Sequence, residues 1–79
     1  KPAVTYLDII SKAREITDAP IAAYHVSGEY AMIKAVSEKS WLPESELVNE
    51  TLLSMKRAGA CAIVTYFAYE FAKNIKMNS

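Results

Sequence analysis

Three side chains in this sequence could take part in catalysis or binding, and each lies where a predicted strand ends. Lys1 precedes the first predicted helix, Ser27 follows the apolar run IAAYHV, and Tyr66 ends the run CAIVTY. In an α/β barrel, functional groups collect at the carboxyl ends of the strands, so we expect all three at one rim. The sequence therefore predicts a site containing an amine, a hydroxyl and a phenol.

Lys1 is the candidate nucleophile. A lysine amine forms a Schiff base only when it is neutral, so its pKa of about 10.4 must be lowered by burial or by a neighbouring cation. Pro2 lacks a backbone N–H and favours an extended Lys1, which fits the end of a strand whose earlier part would precede this sequence. Spacing alone leaves open the alternative of a solvated surface lysine.

Ser27 is a candidate anion-binding residue. Ser27 and Gly28 join a predicted strand to a predicted helix, where unpaired N–H groups and the helix dipole favour a carboxylate or phosphate. The alternative is that Ser27 only caps the helix. The sequence argues against a hydrolase nucleophile, because the residue two before Ser27 is His25 and the G-x-S-x-G elbow is absent. Tyr66 could present its hydroxyl to the same ligand, or serve only as an amphipathic cap on the core.

The other reactive side chains are interpreted as structural. His25 has no acidic residue in an obvious triad arrangement, so we expect it to be packed or hydrogen-bonded. Glu29 is expected to be a charge at a helix N-terminus. Cys61 begins a predicted buried strand and is expected in the core. Trp41 and Met55 are interpreted as packing residues.

The elements that position these residues alternate between helix and strand. Apolar residues at helical spacing after Thr5, a plausible N-cap, predict a first helix that ends at Asp18-Ala19-Pro20. A strand at 21–26 and a helix at 29–39 follow. The next helix begins after Pro43, has Val48, Leu52 and Met55 on one stripe, and is followed by Gly59. A strand at 61–66 precedes the last helix, at 68–76, whose inward residues are predicted to be Phe71, Ala72 and Ile75.

Composition limits the class of protein. With 79 residues, 52% of them hydrophobic, the chain can form one compact unit with a small core. Nine basic and nine acidic residues without a like-charge run predict neither a nucleic-acid partner nor an anionic membrane partner. The single cysteine supports neither a disulfide scaffold nor a zinc module, and no apolar run approaches the length of a membrane span.

The nearly continuous apolar strands are typical of parallel strands covered on both faces. Two parallel strands are marginal alone, so their neighbours should lie upstream of Lys1 or on other chains. A (β/α)8 TIM barrel takes roughly 250 residues. Residues 1–79 are therefore predicted to be the C-terminal third of a single barrel domain, comprising the end of one strand and the last two strands with their helices.

Four segments carry a resemblance to a known family: KP followed by YLDII, PIAAYHVSGEYAMIKA, LLSMKRAGA and IVTYFA. In this order they closely resemble the C-terminal part of the porphobilinogen synthase, or 5-aminolevulinate dehydratase, family. The resemblance spans nearly the whole chain, and VSGEYAMIKA is its most specific segment. One departure is Cys61, because family members usually have an aspartate after R-A-G-A.

The resemblance implies a TIM-barrel enzyme that condenses two molecules of 5-aminolevulinate to porphobilinogen, a precursor of haem, with loss of water. Lys1 would form the Schiff base with the first substrate, Ser27 and Tyr66 would bind its carboxylate, and Tyr24 would line the pocket wall. The resemblance also implies zinc or magnesium with ligands outside this chain, a homo-octamer, and a cytoplasmic or plastid location. The chain alone would be inactive.

Two other classes are weighed against this one. A different Schiff-base barrel enzyme, such as a class I aldolase, would share the strand-end lysine but should lack V-S-G-E-Y-A-M and T-Y-F. A helical adaptor would have a starting Met and apolar stripes on helices only, whereas this sequence has two strand-like runs and begins with Lys1.

Overall fold

Helices and strands alternate along the chain in the predicted order. The computed structural model describes the backbone of residues 1–78 and the side chains of residues 1–73. A 3-10 turn at Val4–Tyr6 is followed by α1 (Leu7–Ile16), β1 (Ala22–His25), α2 (Ser27–Glu38), α3 (Glu44–Ala58), β2 (Ala62–Thr65) and α4 (Ala68–Asn78). The α/β class predicted from the sequence is confirmed.

The two strands pair in parallel, with Ala22 opposite Ala62 and His25 opposite Thr65. Parallel pairing brings both carboxyl ends to the same edge of the sheet, which is the edge predicted to carry the site. One sheet face is covered, because Ala23 and His25 are buried. On the other face Tyr24 and Val64 are 38% and 51% exposed. The sequence predicted that both faces of the sheet would be covered, but in the described chain only one face is.

The core lies between the covered face of the sheet and the helices, with α3 packed against both α1 and α2. The predicted stripe on α3 is confirmed, since Val48, Leu52 and Met55 are all buried. Ile10 joins them from α1, Ile33 from α2 and Phe67 from the turn after β2. These contacts hold the sheet against the layer of helices by removing apolar surface from water.

Two predictions about the helices are wrong. Thr5 is not the N-cap of α1, because it lies in the 3-10 turn and α1 begins two residues later. On α4, Ala72 is exposed rather than inward, although Phe71 packs partly against the core. Ile75 lies outside the described side chains.

Two packing predictions are also wrong. Trp41 is 71% exposed, because it lies in the connection between α2 and α3, away from the core. Cys61 is exposed as well. It lies just before β2, and its Sγ is 3.6 Å from Nη1 of Arg14, so its side chain faces the end of α1 rather than the core.

Gly59 ends α3 with a φ of +124°, a conformation that favours glycine. Its N–H donates to the carbonyl of Lys56 at 3.0 Å, which closes the last turn. A Cβ placed on Gly59 would stand 2.8 Å from the Cβ of Arg14. Arg14 is in turn held by donating to the carbonyls of Thr17 and Ala19. The turn into β2 therefore needs glycine for both its backbone and its space.

Gly59→Ala should destabilise the full-length protein by about 1 to 3 kcal/mol, because the added methyl group strains both φ and the contact with Arg14. Gly28→Ala is the matched control, since Gly28 lies within α2 and has no atom within 4 Å of the added Cβ position. Thermal unfolding of both variants measures the difference. Equal midpoints for the two variants would contradict this account of the turn.

Candidate active site

Lys1 lies beside the carboxyl end of β1. The N–H of Ala3 donates to the carbonyl of Tyr24 at 3.1 Å, as the end of a neighbouring strand would. The Nζ atom of Lys1 is 5.7 Å from the centroid of the Tyr24 ring. This contact brings the predicted amine to the predicted pocket-wall tyrosine.

A shallow cavity of about 110 Å³ opens at the same edge of the sheet, and Tyr24, Val64, Thr65 and Tyr66 line it. Tyr66 is 59% exposed, and its ring packs on Tyr30 with a centroid distance of 5.4 Å. Tyr24 thus links Lys1 to the cavity that contains Tyr66. Three of the four predicted site residues meet at one rim.

Ser27 lies at the junction of β1 and α2, as the sequence interpretation of an anion site expects. It is the first residue of α2 and Val26 is the N-cap, so the alternative interpretation of Ser27 as the helix cap does not hold. The first helical hydrogen bond runs from the N–H of Tyr30 to the carbonyl of Val26 at 3.1 Å. The preceding N–H groups of α2 therefore have no acceptor within the helix, as a site for an anion requires. Ser27 is exposed and, in the described part of the chain, does not line the cavity.

Glu29 is the polar residue whose burial the sequence interpretation missed. It lies in the first turn of α2, as expected of a charge at a helix N-terminus, but it is only 4% exposed rather than at the surface. Oε1 accepts the N–H of Val26 at 3.1 Å, and Oε2 accepts the N–H of Val4 at 2.8 Å. The signal was the glutamate at the third helical position, which is half of a capping box. Val26 has no side-chain acceptor to complete the other half.

His25 lies beneath the rim and is fully buried. Its Nδ1 is 3.0 Å from the hydroxyl of Thr65, which also accepts the N–H of Phe67 at 3.2 Å. The prediction of a packed, hydrogen-bonded histidine is confirmed. Its Nε2 has no hydrogen-bond partner among the described residues. Burial lowers the pKa of His25, and the charge of Glu29 partly opposes that shift.

An aromatic cluster supports the rim from the side. The ring of Tyr30 lies 4.8 Å from that of Phe67, and the Nζ of Lys34 lies 5.7 Å and 5.6 Å from the two ring centroids. Lys34 also pairs with Glu44 at 2.8 Å, and the hydrogen bond to Glu44 raises the pKa of Lys34. This cluster fixes the platform on which Tyr66 rests.

The described residues offer neither a metal site nor a membrane span. They contain no group of three His, Cys, Asp or Glu side chains that could hold a metal ion. Within residues 1–78, no helix is both long and apolar enough to cross a membrane.

The sequence matches a known family. A family model described as delta-aminolevulinic acid dehydratase matches residues 1–74. The chain belongs to this family. The resemblance inferred from the sequence segments is confirmed. Family membership argues against both a class I aldolase and a helical adaptor.

Curated relatives carry the same name. The delta-aminolevulinic acid dehydratase of Synechococcus elongatus is 53% identical over 73 residues, which is 92% of this chain and 22% of that protein. That of Streptomyces coelicolor is 49% identical over 76 residues, or 96% of this chain and 23% of that protein. The chain thus spans about a fifth of the length of the relatives that it matches.

A solved structure has the same fold. It is the crystal structure of delta-aminolevulinic acid dehydratase (porphobilinogen synthase) from Toxoplasma gondii in complex with the reaction product porphobilinogen. The two superpose with a TM-score of 0.91 at 53% identity, over 92% of this chain and 21% of the other.

The buried His25 predicts a dependence of stability on pH. Because its pKa is lowered from 6.5 in the fold, the unfolded chain takes up the proton first, and stability should fall as the pH drops below about 6.5. Thermal unfolding of the full-length protein from pH 8 to pH 5 measures this loss. His25→Gln removes the titrating group and should flatten the profile. Parallel profiles for the two proteins would show that His25 does not contribute.

Proposed function

We propose that the protein carrying this chain condenses two molecules of 5-aminolevulinate to porphobilinogen with loss of water, and that Lys1 forms the Schiff base with the first substrate. Family membership over residues 1–74 supports the reaction. The observation that carries the role of Lys1 is its amine next to Tyr24, at the edge of the sheet where the cavity opens.

In the proposed reaction the neutral amine of Lys1 attacks the ketone carbon of 5-aminolevulinate. The carbonyl oxygen leaves as water, and a carbon–nitrogen double bond replaces the carbon–oxygen one. The substrate carboxylate binds the hydroxyls of Ser27 and Tyr66 and the N–H groups at the start of α2, where the helix dipole favours a negative charge. Tyr24 forms the wall between the amine and the carboxylate site.

The proposal includes the context of the chain. Residues 1–79 would be the C-terminal third of one (β/α)8 barrel domain, with the exposed sheet face that carries Tyr24 and Val64 turned towards the barrel interior. That face supports the proposal because side chains fill the interior of such a barrel. Zinc or magnesium, if used, would bind to ligands outside this chain, and the enzyme would be a cytoplasmic or plastid homo-octamer.

Borohydride should trap 5-aminolevulinate on Lys1 in the full-length enzyme, because hydride adds to the imine carbon, a proton from water goes to the nitrogen, and a stable secondary amine results. Peptide mapping by mass spectrometry locates the label. Lys1→Arg should abolish it, whereas Lys12→Arg, which changes an exposed lysine of α1, should leave it intact. Label found only on another lysine would reject the assignment.

Ser27→Ala and Tyr66→Phe should each lower kcat/KM by about 10- to 150-fold, because each deletes one hydrogen bond to a charged carboxylate while the fold persists. The two losses should be less than additive, since both donors serve one anion. Ser45→Ala and Tyr69→Phe are matched controls at exposed positions of α3 and α4 and should retain full activity. Full activity in the Ser27 and Tyr66 variants would restrict these side chains to structural roles.

A further inference from the structure

The carboxylate of Glu29 joins two segments that are far apart in sequence. Its Oε2 accepts the N–H of Val4, 25 residues away, and its Oε1 accepts the N–H of Val26. Val4 follows Lys1 by three residues, and Val26 immediately precedes Ser27. One side chain thus bridges the segment that carries the amine and the helix end that carries the anion site.

The burial of this carboxylate makes the bridge rigid. Glu29 is 4% exposed, so water reaches its carboxylate far less than it would at the surface and competes less with the two backbone donors. Hydrogen bonds to a charged acceptor are about twice as strong as neutral ones, and losing either would leave a buried polar group without its partner. By contrast, Lys1 is exposed, and the hydrogen bonds that anchor its segment are those of Ala3 to Tyr24 and of Val4 to Glu29.

A bridge of this kind matters for a substrate that is held at both ends. In 5-aminolevulinate two methylene groups separate the ketone carbon from the carboxylate. The carbon must reach the amine of Lys1 while the carboxylate reaches Ser27. A misplacement of about 1 Å between such groups can reduce a rate by roughly 100-fold.

We propose that Glu29 is a positioning residue, which sets the separation between the amine of Lys1 and the carboxylate site at Ser27. The inference rests on the proposed function, because it assigns those two groups to one substrate. It predicts that Glu29 matters for ligands that span both groups and not for ligands that use Lys1 alone.

The test compares two ketones in borohydride trapping at Lys1 of the full-length enzyme. One is 4-oxopentanoate, which carries the ketone and the carboxylate at the spacing of the substrate. The other is 2-butanone, which has no carboxylate. Glu29→Gln keeps one carbonyl acceptor but turns an NH2 group towards the second backbone N–H, so one of the two bonds is lost.

In Glu29→Gln, trapping of 4-oxopentanoate should slow by roughly 10- to 100-fold, while trapping of 2-butanone should stay at the wild-type rate. Glu38→Gln is the matched control, because it makes the same change in charge at an exposed position of α2 and should alter neither rate. If Glu29→Gln does not fold, Glu29→Asp is used instead. The aspartate side chain keeps the charge but is one methylene shorter, so it cannot keep both hydrogen bonds. The same selective loss is expected.

The outcomes separate this inference from the proposed function. An equal loss for both ketones would mean that Glu29 only stabilises the fold, and no loss would mean that the bridge does not set the spacing; either result overturns the inference while leaving Lys1 as the Schiff-base residue. Absence of label on Lys1 in the wild type with both ketones would instead reject the proposed function.

Discussion

Parallel pairing of β1 with β2 is the constraint on which the rest of the structure depends. A parallel pair cannot be closed by a tight turn, so a long connection must cross from the end of β1 to the start of β2. Here α2 and α3 make that crossing, and they cover one face of the sheet. The same pairing aligns the carboxyl ends of the strands, so Tyr24 and Tyr66 line one cavity although they lie far apart in sequence.

Buried polar contacts hold this edge in a defined geometry. Glu29 connects the chain before α1 to the start of α2, and Thr65 connects β2 to His25 on β1. Apolar packing tolerates small shifts between neighbouring elements, whereas hydrogen bonds have narrow ranges of distance and angle. The residues of the rim are exposed, but the groups beneath them are not. Local order at the rim therefore originates one layer below it.

The extent to which the sequence predicted the structure differs between elements for physical reasons. Both strands were predicted from short apolar runs between turn residues, and the end of α3 from Gly59, because these signals are local. The start of α2 was placed two residues too late, since Ser27 and Gly28 resemble a loop. The exposure of Cys61 was not predicted, because tertiary packing decides which side of a strand a neighbouring element covers.

The candidate site was predicted in part by the same kind of reasoning. The rule that functional groups collect at the ends of parallel strands predicted Lys1, Ser27 and Tyr66 at one rim, whereas Tyr24 was added from the family resemblance. In the part of the chain that the structure describes, Tyr66 and Tyr24 line the cavity and Lys1 lies beside Tyr24, but Ser27 does not line it. The bond between Glu29 and the N–H of Val4 was not predicted, because it spans 25 residues and leaves no periodic signal in the sequence.

The crossover also has a consequence for the order of folding. His25 and Thr65 are 40 residues apart, so their contact requires closure of a long loop, which is slow compared with helix formation. The helices α2 and α3 should condense first and deliver β2 to its partner. Until then, a growing chain presents the edge of β1 that faces β2 without its partner, and unwanted strand pairing during synthesis is expected at that edge.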